Sequence, residues 1–314
     1  MSDSCPTPLR IGTRGSPLAL AQAHETRDRL QAAHPALRHP EAVELVVIKT
    51  TGDRILDRTL AEAGGKGLFT KEIEEELAAG RIDLAVHSMK DVPTWLPEGL
   101  EIACLLPRED PRDAFFASAA TSLAALPAGA VVGTASLRRQ AQVLAARPDL
   151  RVVPLRGNVQ TRLARLREGA VDATMLALAG LRRLGLAEQA TGILETADML
   201  PAVAQGAIGI EIRRADDGVR RLLAPLHCSR TAARVTAERA LLAVLDGSCR
   251  TPIAALAERD DADGLSLTGL VLRPDGTQVF RASRQGAAGD AEALGREAGE
   301  ALKAALPAGF FSSL

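Results

Sequence analysis

The chain has 314 residues, 46% of them hydrophobic, and a formal net charge of −1. That is too long for one core and calls for two or three domains. The near-neutral balance excludes a global basic signature for nucleic acid, and one Trp, six Phe and no Tyr leave few aromatic platforms for stacking single strands.

Leu9-Arg10-Ile11-Gly12-Thr13 reads as a short strand that runs into Arg14-Gly15-Ser16-Pro17. Ser16 as N-cap and Pro17 at the first helical position predict a helix that continues to Gln31, because a short side-chain oxygen meets free N–H groups and proline lacks one. A β-branched strand follows at 43–49. The stretch 58–67, with Gly64-Gly65-Lys66-Gly67, reads as flexible and leads to a helix over 70–79. Ile82-Asp83-Leu84-Ala85-Val86-His87-Ser88 reads as a buried strand that ends at Met89-Lys90-Asp91-Val92-Pro93, and 100–106 as another. Proline-bounded 107–112 is the first linker.

Beyond it come a strand at 131–134, a helix over 137–146, a strand at 151–155, a helix over 159–167, a strand at 173–177 and a helix across Leu181-Arg182-Arg183. That alternation is the rhythm of a parallel sheet covered by helices. Gly12-Thr13-Arg14-Gly15-Ser16 and Gly133-Thr134-Ala135-Ser136 echo each other at strand-to-helix turns, as two similar α/β domains would. A strand at 208–212, a helix over 234–245 that ends at Asp246-Gly247, two alternating strands at 265–272 and 278–282, and a helix over 291–305 complete a smaller α+β region.

No apolar run approaches the ~18 residues of a membrane span. Met1-Ser2-Asp3-Ser4-Cys5 lacks the basic and apolar regions of a signal peptide, so a cytoplasmic protein is expected. Cys5, Cys104, Cys228 and Cys249 show no metal-type spacing, and no metal is expected. Cys104 reads as core. Cys249 lies in the turn Asp246-Gly247-Ser248-Cys249-Arg250 and is either a small apolar residue or the anchor of a covalent prosthetic group.

Residues 130–186 hold ten Arg against Asp149, Glu168 and Asp172, a local cationic field suited to carboxylates or phosphates. In open parallel sheets, ligands bind beyond the carboxyl ends of strands. Thr13-Arg14-Gly15-Ser16, Ser88-Met89-Lys90-Asp91, Thr134-Ala135-Ser136-Leu137-Arg138-Arg139 and Arg156-Gly157-Asn158 all fall at such ends. Arg14, Arg138, Arg139, Arg156 and Arg162 are therefore read as ligand-facing, since guanidinium forks pair well with carboxylates. Arg147, Arg151, Arg165 and Arg167 are read as solvated helix residues. Asp91 either neutralises Lys90 and its cationic neighbours or acts on the substrate.

Seven stretches, taken in order, resemble the porphobilinogen deaminase family. They are Gly12 to Ala19, Gly64 to Phe69, His87 to Pro93, Ala135 to Gln140, Leu155 to Leu163, Ala179 to Gly185, and Gln205-Gly206-Ala207. The resemblance implies a dipyrromethane cofactor bonded through a thioether to Cys249. Four porphobilinogen units would be added to it head to tail, each with loss of ammonia, to give hydroxymethylbilane. Asp91 matches the catalytic aspartate. Lys90, Ser88, Thr134, Ser136, Arg138, Arg139, Arg156 and Arg162 match cofactor positions, and Arg14, Ser16, Lys66, Arg183 and Gln205 match substrate positions.

The implied fold is α/β, with two doubly wound domains like those of periplasmic binding proteins (1–106 with 206–224, and 112–200) and an α+β C-terminal domain (228–314). A monomer is implied, with the product handed to uroporphyrinogen III synthase. Ala204 stands where the family usually has Gly, which matters if that position needs positive φ. The competing readings are a non-catalytic two-lobed anion-binding protein and a cysteine hydrolase. The latter needs a base near Cys249, and none of His24, His34, His39, His87 and His227 sits in a recognisable partner motif.

Overall fold

The computed structural model describes residues 8–54, 67–247 and 251–310. Their packing forms two compact units. The first joins the described residues up to 54 with Gly67–Arg108 and Ala207–Ser229, and the second joins Glu109–Gly206 with the described residues from 230 onward.

In the first unit the strands are β1 (Leu9–Arg14), β2 (Val43–Ile48), β3 (Leu84–Ser88), β4 (Leu100–Leu105) and, from the later segment, β10 (Ile208–Arg213). They lie in the order β2-β1-β3-β10-β4. β1 runs parallel to β2 and β3, whereas β10 is antiparallel to β3 and β4. The helices are α1 (Pro17–Ala33), α2 (Thr51–Arg54), α3 (Lys71–Ala78) and α7 (Asp217–Leu223). Ala23 and Leu30 of α1 and Val219 and Leu223 of α7 cover one face of the sheet, packing with Ile11, Leu84, Val86, Ile208, Ile210 and Ile212. Ile73 and Leu77 of α3 cover the other with Ile82 and Ala85. Burial on both faces explains why β3 reads as an unbroken apolar run rather than an alternating one.

The second unit repeats the plan. Its first sheet contains β5 (Asp113–Ala117), β6 (Val131–Gly133), β7 (Arg151–Val153), β8 (Ala173–Ala177) and β9 (Gly192–Leu194), in the order β7-β6-β8-β5-β9. β6 is parallel to β7 and β8, while β5 is antiparallel to β8 and β9. Helices α4 (Leu137–Ala146), α5 (Val159–Arg167) and α6 (Leu178–Arg183) cover it. β1 and β6 occupy the same place in the two sheets, and this accounts for the glycine echo. A Cβ on Gly12 would lie 2.2 Å from Ile82 Cδ1, and one on Gly133 2.8 Å from Leu155 Cδ2. Each glycine lets a neighbouring aliphatic side chain pack beneath the turn.

The α/β class read from the sequence is thus observed, with a difference: one antiparallel strand sits inside each otherwise parallel sheet. β5 is absent from the sequence reading because Asp-Ala-Phe-Phe-Ala, buried on both faces, carries neither alternation nor β-branching. β9 and α7 are also absent from it.

The rest of the second unit is α8 (Ser229–Val244) from its second residue on, the antiparallel sheet β11 (Ile253–Arg259), β12 (Gly264–Leu272) and β13 (Val279–Ala287), and α9 (Ala291–Ala305). Gly295 and Gly299, one turn apart on α9, bring it close to α8: a Cβ on Gly295 would be 2.3 Å from the Ala237 carbonyl oxygen. The Pro274-Asp275-Gly276 turn seats on α4. Gly276, at φ +75°, leaves no room for a Cβ against the Ala145 backbone, and Gln140 donates to the Pro274 carbonyl at 3.2 Å. Leu200, Ala254 and Leu256 form a further apolar cluster in the same unit.

Ala204 does adopt the left-handed conformation, with φ +58°, and is fully buried. Its N–H donates to Glu238 Oε2 at 2.6 Å, while Glu238 Oε1 accepts from the Ala257 N–H at 2.8 Å. One carboxylate on α8 therefore holds the segment before Gly206 and strand β11 together. A non-glycine residue in this conformation costs roughly 1–2 kcal/mol. Ala204→Gly removes that strain but loosens the unfolded chain, so a net gain of about 0.5–1 kcal/mol is expected, read as a thermal midpoint roughly 2 °C higher. Glu238→Ala is expected to cost about 3 kcal/mol, because it leaves two buried N–H donors unsatisfied. Chemical denaturation measures it; a loss under about 0.5 kcal/mol, the range of ordinary surface substitutions, would contradict the bracing role.

Candidate functional site

In the first unit, β1 delivers Thr13, Arg14 and Ser16. The Ser16 hydroxyl caps α1, accepting from the Ala19 N–H at 3.3 Å. Buried Thr13 donates to the Ala19 carbonyl at 3.2 Å. The Arg14 guanidinium lies 4.3 Å from the centre of the Phe69 ring, a cation–π contact that holds it against the start of the next segment.

β3 delivers the second cluster. Ser88 and Gln22 exchange hydrogen bonds at 2.8 and 3.0 Å. A single 3-10 turn, Met89–Asp91, follows. It is firmly seated: the Met89 N–H donates to the Ala207 carbonyl at 3.0 Å, and a Cβ on Gly209 would come 2.0 Å from the Met89 sulfur. Asp91 is half-buried, and among the described residues its carboxylate has no hydrogen-bond or ion-pair partner. Of its two roles left open by the sequence, neutralising Lys90 is not seen. Beneath the turn His87 pairs with buried Glu211 at 2.9 Å, and burial pushes the Glu74 carboxyl up.

In the second unit, Ser136 caps α4 by accepting from the Arg139 N–H at 3.4 Å, and the Ser136 N–H donates to buried Thr134 at 3.2 Å. The first turn of α4 carries Arg138 and Arg139, which are 4% and 6% exposed. Both converge on Asp113, at 0% exposure the first residue of β5. Arg138 Nη2 donates to Oδ2 at 2.8 Å; Arg139 donates through Nε to Oδ2 at 3.1 Å and through Nη2 to Oδ1 at 2.8 Å. Gln205, which the sequence places at the substrate, is 1% exposed and donates to Asp113 Oδ1 at 2.8 Å and to the Pro111 carbonyl at 2.7 Å. Burial alone would raise the Asp113 pKa, but the charges and hydrogen bonds of the two arginines outweigh it and hold the carboxyl well below the usual range.

The remaining candidates surround the start of α5. Asn158 caps it, accepting from the Thr161 N–H at 2.8 Å, and Arg162 Nε donates to the Gly157 carbonyl at 2.9 Å. Arg156 is half-buried and makes no hydrogen bond or ion pair among the described residues. Arg183 Nη2 donates to the Gly206 carbonyl at 3.2 Å. Cys249 and Lys66 lie outside the described residues. Arg147 differs from its reading as a solvated residue: it donates to the carbonyls of Leu123, Ala124 and Leu126 and ties down that loop. Arg165 pairs with exposed Glu168 at 3.2 Å and Arg167 donates to Gln189 at 3.0 Å, both at the surface.

Two guanidiniums face one carboxylate in a nearly dry site, which leaves an excess positive charge. Arg138 Nε is buried with no hydrogen-bond partner among the described residues. These groups fit a ligand that brings carboxylates, as the arms of a dipyrromethane would. His87 is buried against Glu211, His34 is bonded to the Leu222 carbonyl at 2.7 Å, and His227 takes the Leu105 N–H at 3.3 Å. No cluster of three metal-ligating groups lies among the described residues.

Residues 9–221 match the family described as Porphobilinogen deaminase, dipyromethane cofactor binding domain, and residues 232–304 match Porphobilinogen deaminase, C-terminal domain. The chain belongs to the porphobilinogen deaminase family. The chloroplastic porphobilinogen deaminase of Oryza sativa subsp. japonica is 60% identical over 98% of this chain and 86% of its own length. That of Paracoccus denitrificans (strain Pd 1222) is 60% identical over 97% of this chain and 96% of its own. Among solved structures, the periplasmic aliphatic sulphonate binding protein SsuA of Escherichia coli is similar at 17% identity and a TM-score of 0.40, over 77% of this chain and 71% of that one. No helix among the described residues is long and apolar enough to cross a membrane. Two features of this porphobilinogen deaminase-family chain escaped the sequence reading: Asp113 and Glu238. Each is an acid with no motif around it, and its significance comes from partners 19 or more residues away in the chain.

Proposed function

We propose that this chain is a transferase that joins four porphobilinogen molecules head to tail, with loss of ammonia, into hydroxymethylbilane. The primer is a dipyrromethane held by a thioether to Cys249. The observation that carries the reading is the uncompensated guanidinium charge at the start of α4, where Arg138 and Arg139 outnumber Asp113. Every pyrrole of the growing chain brings an acetate and a propionate, so the product gains two negative charges per ring. Arginine forks at strand ends suit such a polyanion better than solvent does.

The bound dipyrromethane supplies a pyrrole carbon nucleophile for the first addition. Arg138, Arg139, Arg156, Arg162, Lys90, Ser88, Thr134 and Ser136 hold its acidic and polar groups. Arg14, Ser16, Lys66, Arg183 and Gln205 receive the incoming porphobilinogen. Asp91 sets its carboxylate opposite the positive charge that develops on the substrate as ammonia leaves. In this reading the chain forms three domains (1–106 with 206–224, 112–200 and 228–314) and works as a cytoplasmic monomer that passes its product to uroporphyrinogen III synthase.

The test is intact mass. The purified protein is expected to exceed its sequence mass by two linked pyrroles, to give pyrrole colour with acidic dimethylaminobenzaldehyde, and to consume porphobilinogen. A bare sequence mass and no consumption would favour a non-catalytic anion-binding protein.

A further inference from the structure

Asp113 belongs to none of the groups that meet cofactor or substrate, yet three of the candidate residues end on it. Its four acceptor sites are filled: two by Arg139, one by Arg138 and one by Gln205. A carboxylate has about four such sites. We propose that Asp113 is a positioning residue that sets Arg138 and Arg139 to take a single carboxylate arm. The assignment rests on the function proposed above.

Three observations support it. The first is charge. With Asp113 the cluster holds two cations and one anion, so one further carboxylate neutralises it. Without Asp113, two like charges would face each other in a low-dielectric site and repel. The second is donor count. Arg138 spends Nη1 on the Leu200 carbonyl at 2.7 Å and Nη2 on Asp113, and its Nε is buried with no hydrogen-bond partner among the described residues. Arg139 spends Nε and Nη2 on Asp113, and its Nη1 makes no hydrogen bond among the described residues. Each fork therefore keeps an unspent donor, two in all for the two oxygens of one arm. The third is rigidity. Asp113 opens a central strand, and Gln205 ties its Oδ1 to the Pro111 carbonyl. A guanidinium bonded to a fixed carboxylate keeps one rotamer, so less side-chain entropy is lost when the ligand arrives.

The experiment is a double-mutant cycle on the full chain: wild type, Asp113→Asn, Arg139→Gln and both together. Each protein is weighed intact, and KM and kcat for porphobilinogen are measured on the fraction that carries the added mass. Asn keeps the shape of Asp113 and removes its charge. Asp113→Asn is expected to lower the loaded fraction severalfold and to raise KM about tenfold while kcat stays within about twofold, the scale of one lost charge-assisted hydrogen bond. The double variant is expected to lose less than the sum of the two single variants, because part of the effect of Asp113 runs through Arg139 and part through Arg138.

Additive losses in the double variant, or wild-type loading and KM in Asp113→Asn, would overturn the assignment. Should circular dichroism show Asp113→Asn unfolded, Asp113→Glu carries the test, since it keeps the charge and shifts the carboxylate out of register with the two guanidiniums. A KM about threefold higher supports the assignment, and an unchanged KM with full loading overturns it. A wild-type protein without added mass would instead sink the functional reading, and the assignment with it; a loaded wild type beside an indifferent Asp113→Asn sinks the assignment alone.

Discussion

Cys249→Ser is expected to return the protein to the mass of its bare sequence and to reduce porphobilinogen turnover below detection. The reason is nucleophilicity. A free thiol has a pKa near 8.5, so a few per cent is thiolate at neutral pH, whereas a serine hydroxyl is effectively never ionised there. The swap changes one atom and leaves the approach to residue 249 as it is. Helix α8 ends in a Schellman turn, with the Asp246 N–H donating to the Ala243 carbonyl at 3.1 Å and the Gly247 N–H to the Leu242 carbonyl at 3.0 Å. Asp246 takes the left-handed conformation that the turn requires, at φ +47°. Cys104 is a poor alternative anchor: it is in the core, and burial pushes its thiol up to about 12, which leaves almost no thiolate to react. Retention of the added mass in Cys249→Ser would remove Cys249 from the proposal.

Asp91→Asn is expected to keep the added mass yet lose about 10²–10³ in kcat, the usual consequence of deleting one preorganised electrostatic partner of a developing charge. KM should move little, because the charge that Asp91 faces develops during reaction rather than on binding. Stability is expected to stay within about 0.5 kcal/mol of wild type, because the half-buried carboxylate has no hydrogen-bond or ion-pair partner among the described residues to lose. Loading by intact mass, kcat and a thermal melt separate these effects. Full turnover would exclude Asp91 from the chemistry, and a large loss of stability would make it a structural residue.

Elements whose signal is local were legible from the chain alone. The Ser16-Pro17 helix start and the Asp246-Gly247 stop depend on residues within a few positions, and both are observed. α4 and α5 match their expected spans, and β8 does likewise. The helix expected over 234–245 begins five residues earlier, at Ser229. β5 and the antiparallel insertion of β10 depend on neighbours distant in the chain, which no window of residues contains.

The candidate site divides in the same way. Arginines at strand ends and helix starts could be named from position, since helix N-termini and guanidinium forks both favour anions. Whether a given arginine is spent or spare could not. Arg147 staples a loop through three carbonyls, Arg138 and Arg139 share Asp113, and Arg156 has no hydrogen-bond or ion-pair partner among the described residues. These four look alike as letters.

The amino-acid order by itself determined the α/β alternation, the family and the list of groups able to meet a polyanion, because these follow from periodicity, capping and short motifs. Tertiary structure alone decided how those groups are charged and aimed. It set Asp113 between two guanidiniums, left Asp91 on a seated turn with no hydrogen-bond or ion-pair partner among the described residues, and bent Ala204 into a conformation braced by Glu238. Hydrogen bonds and Coulomb forces act between atoms near in space, and folding, not sequence distance, makes these pairs neighbours.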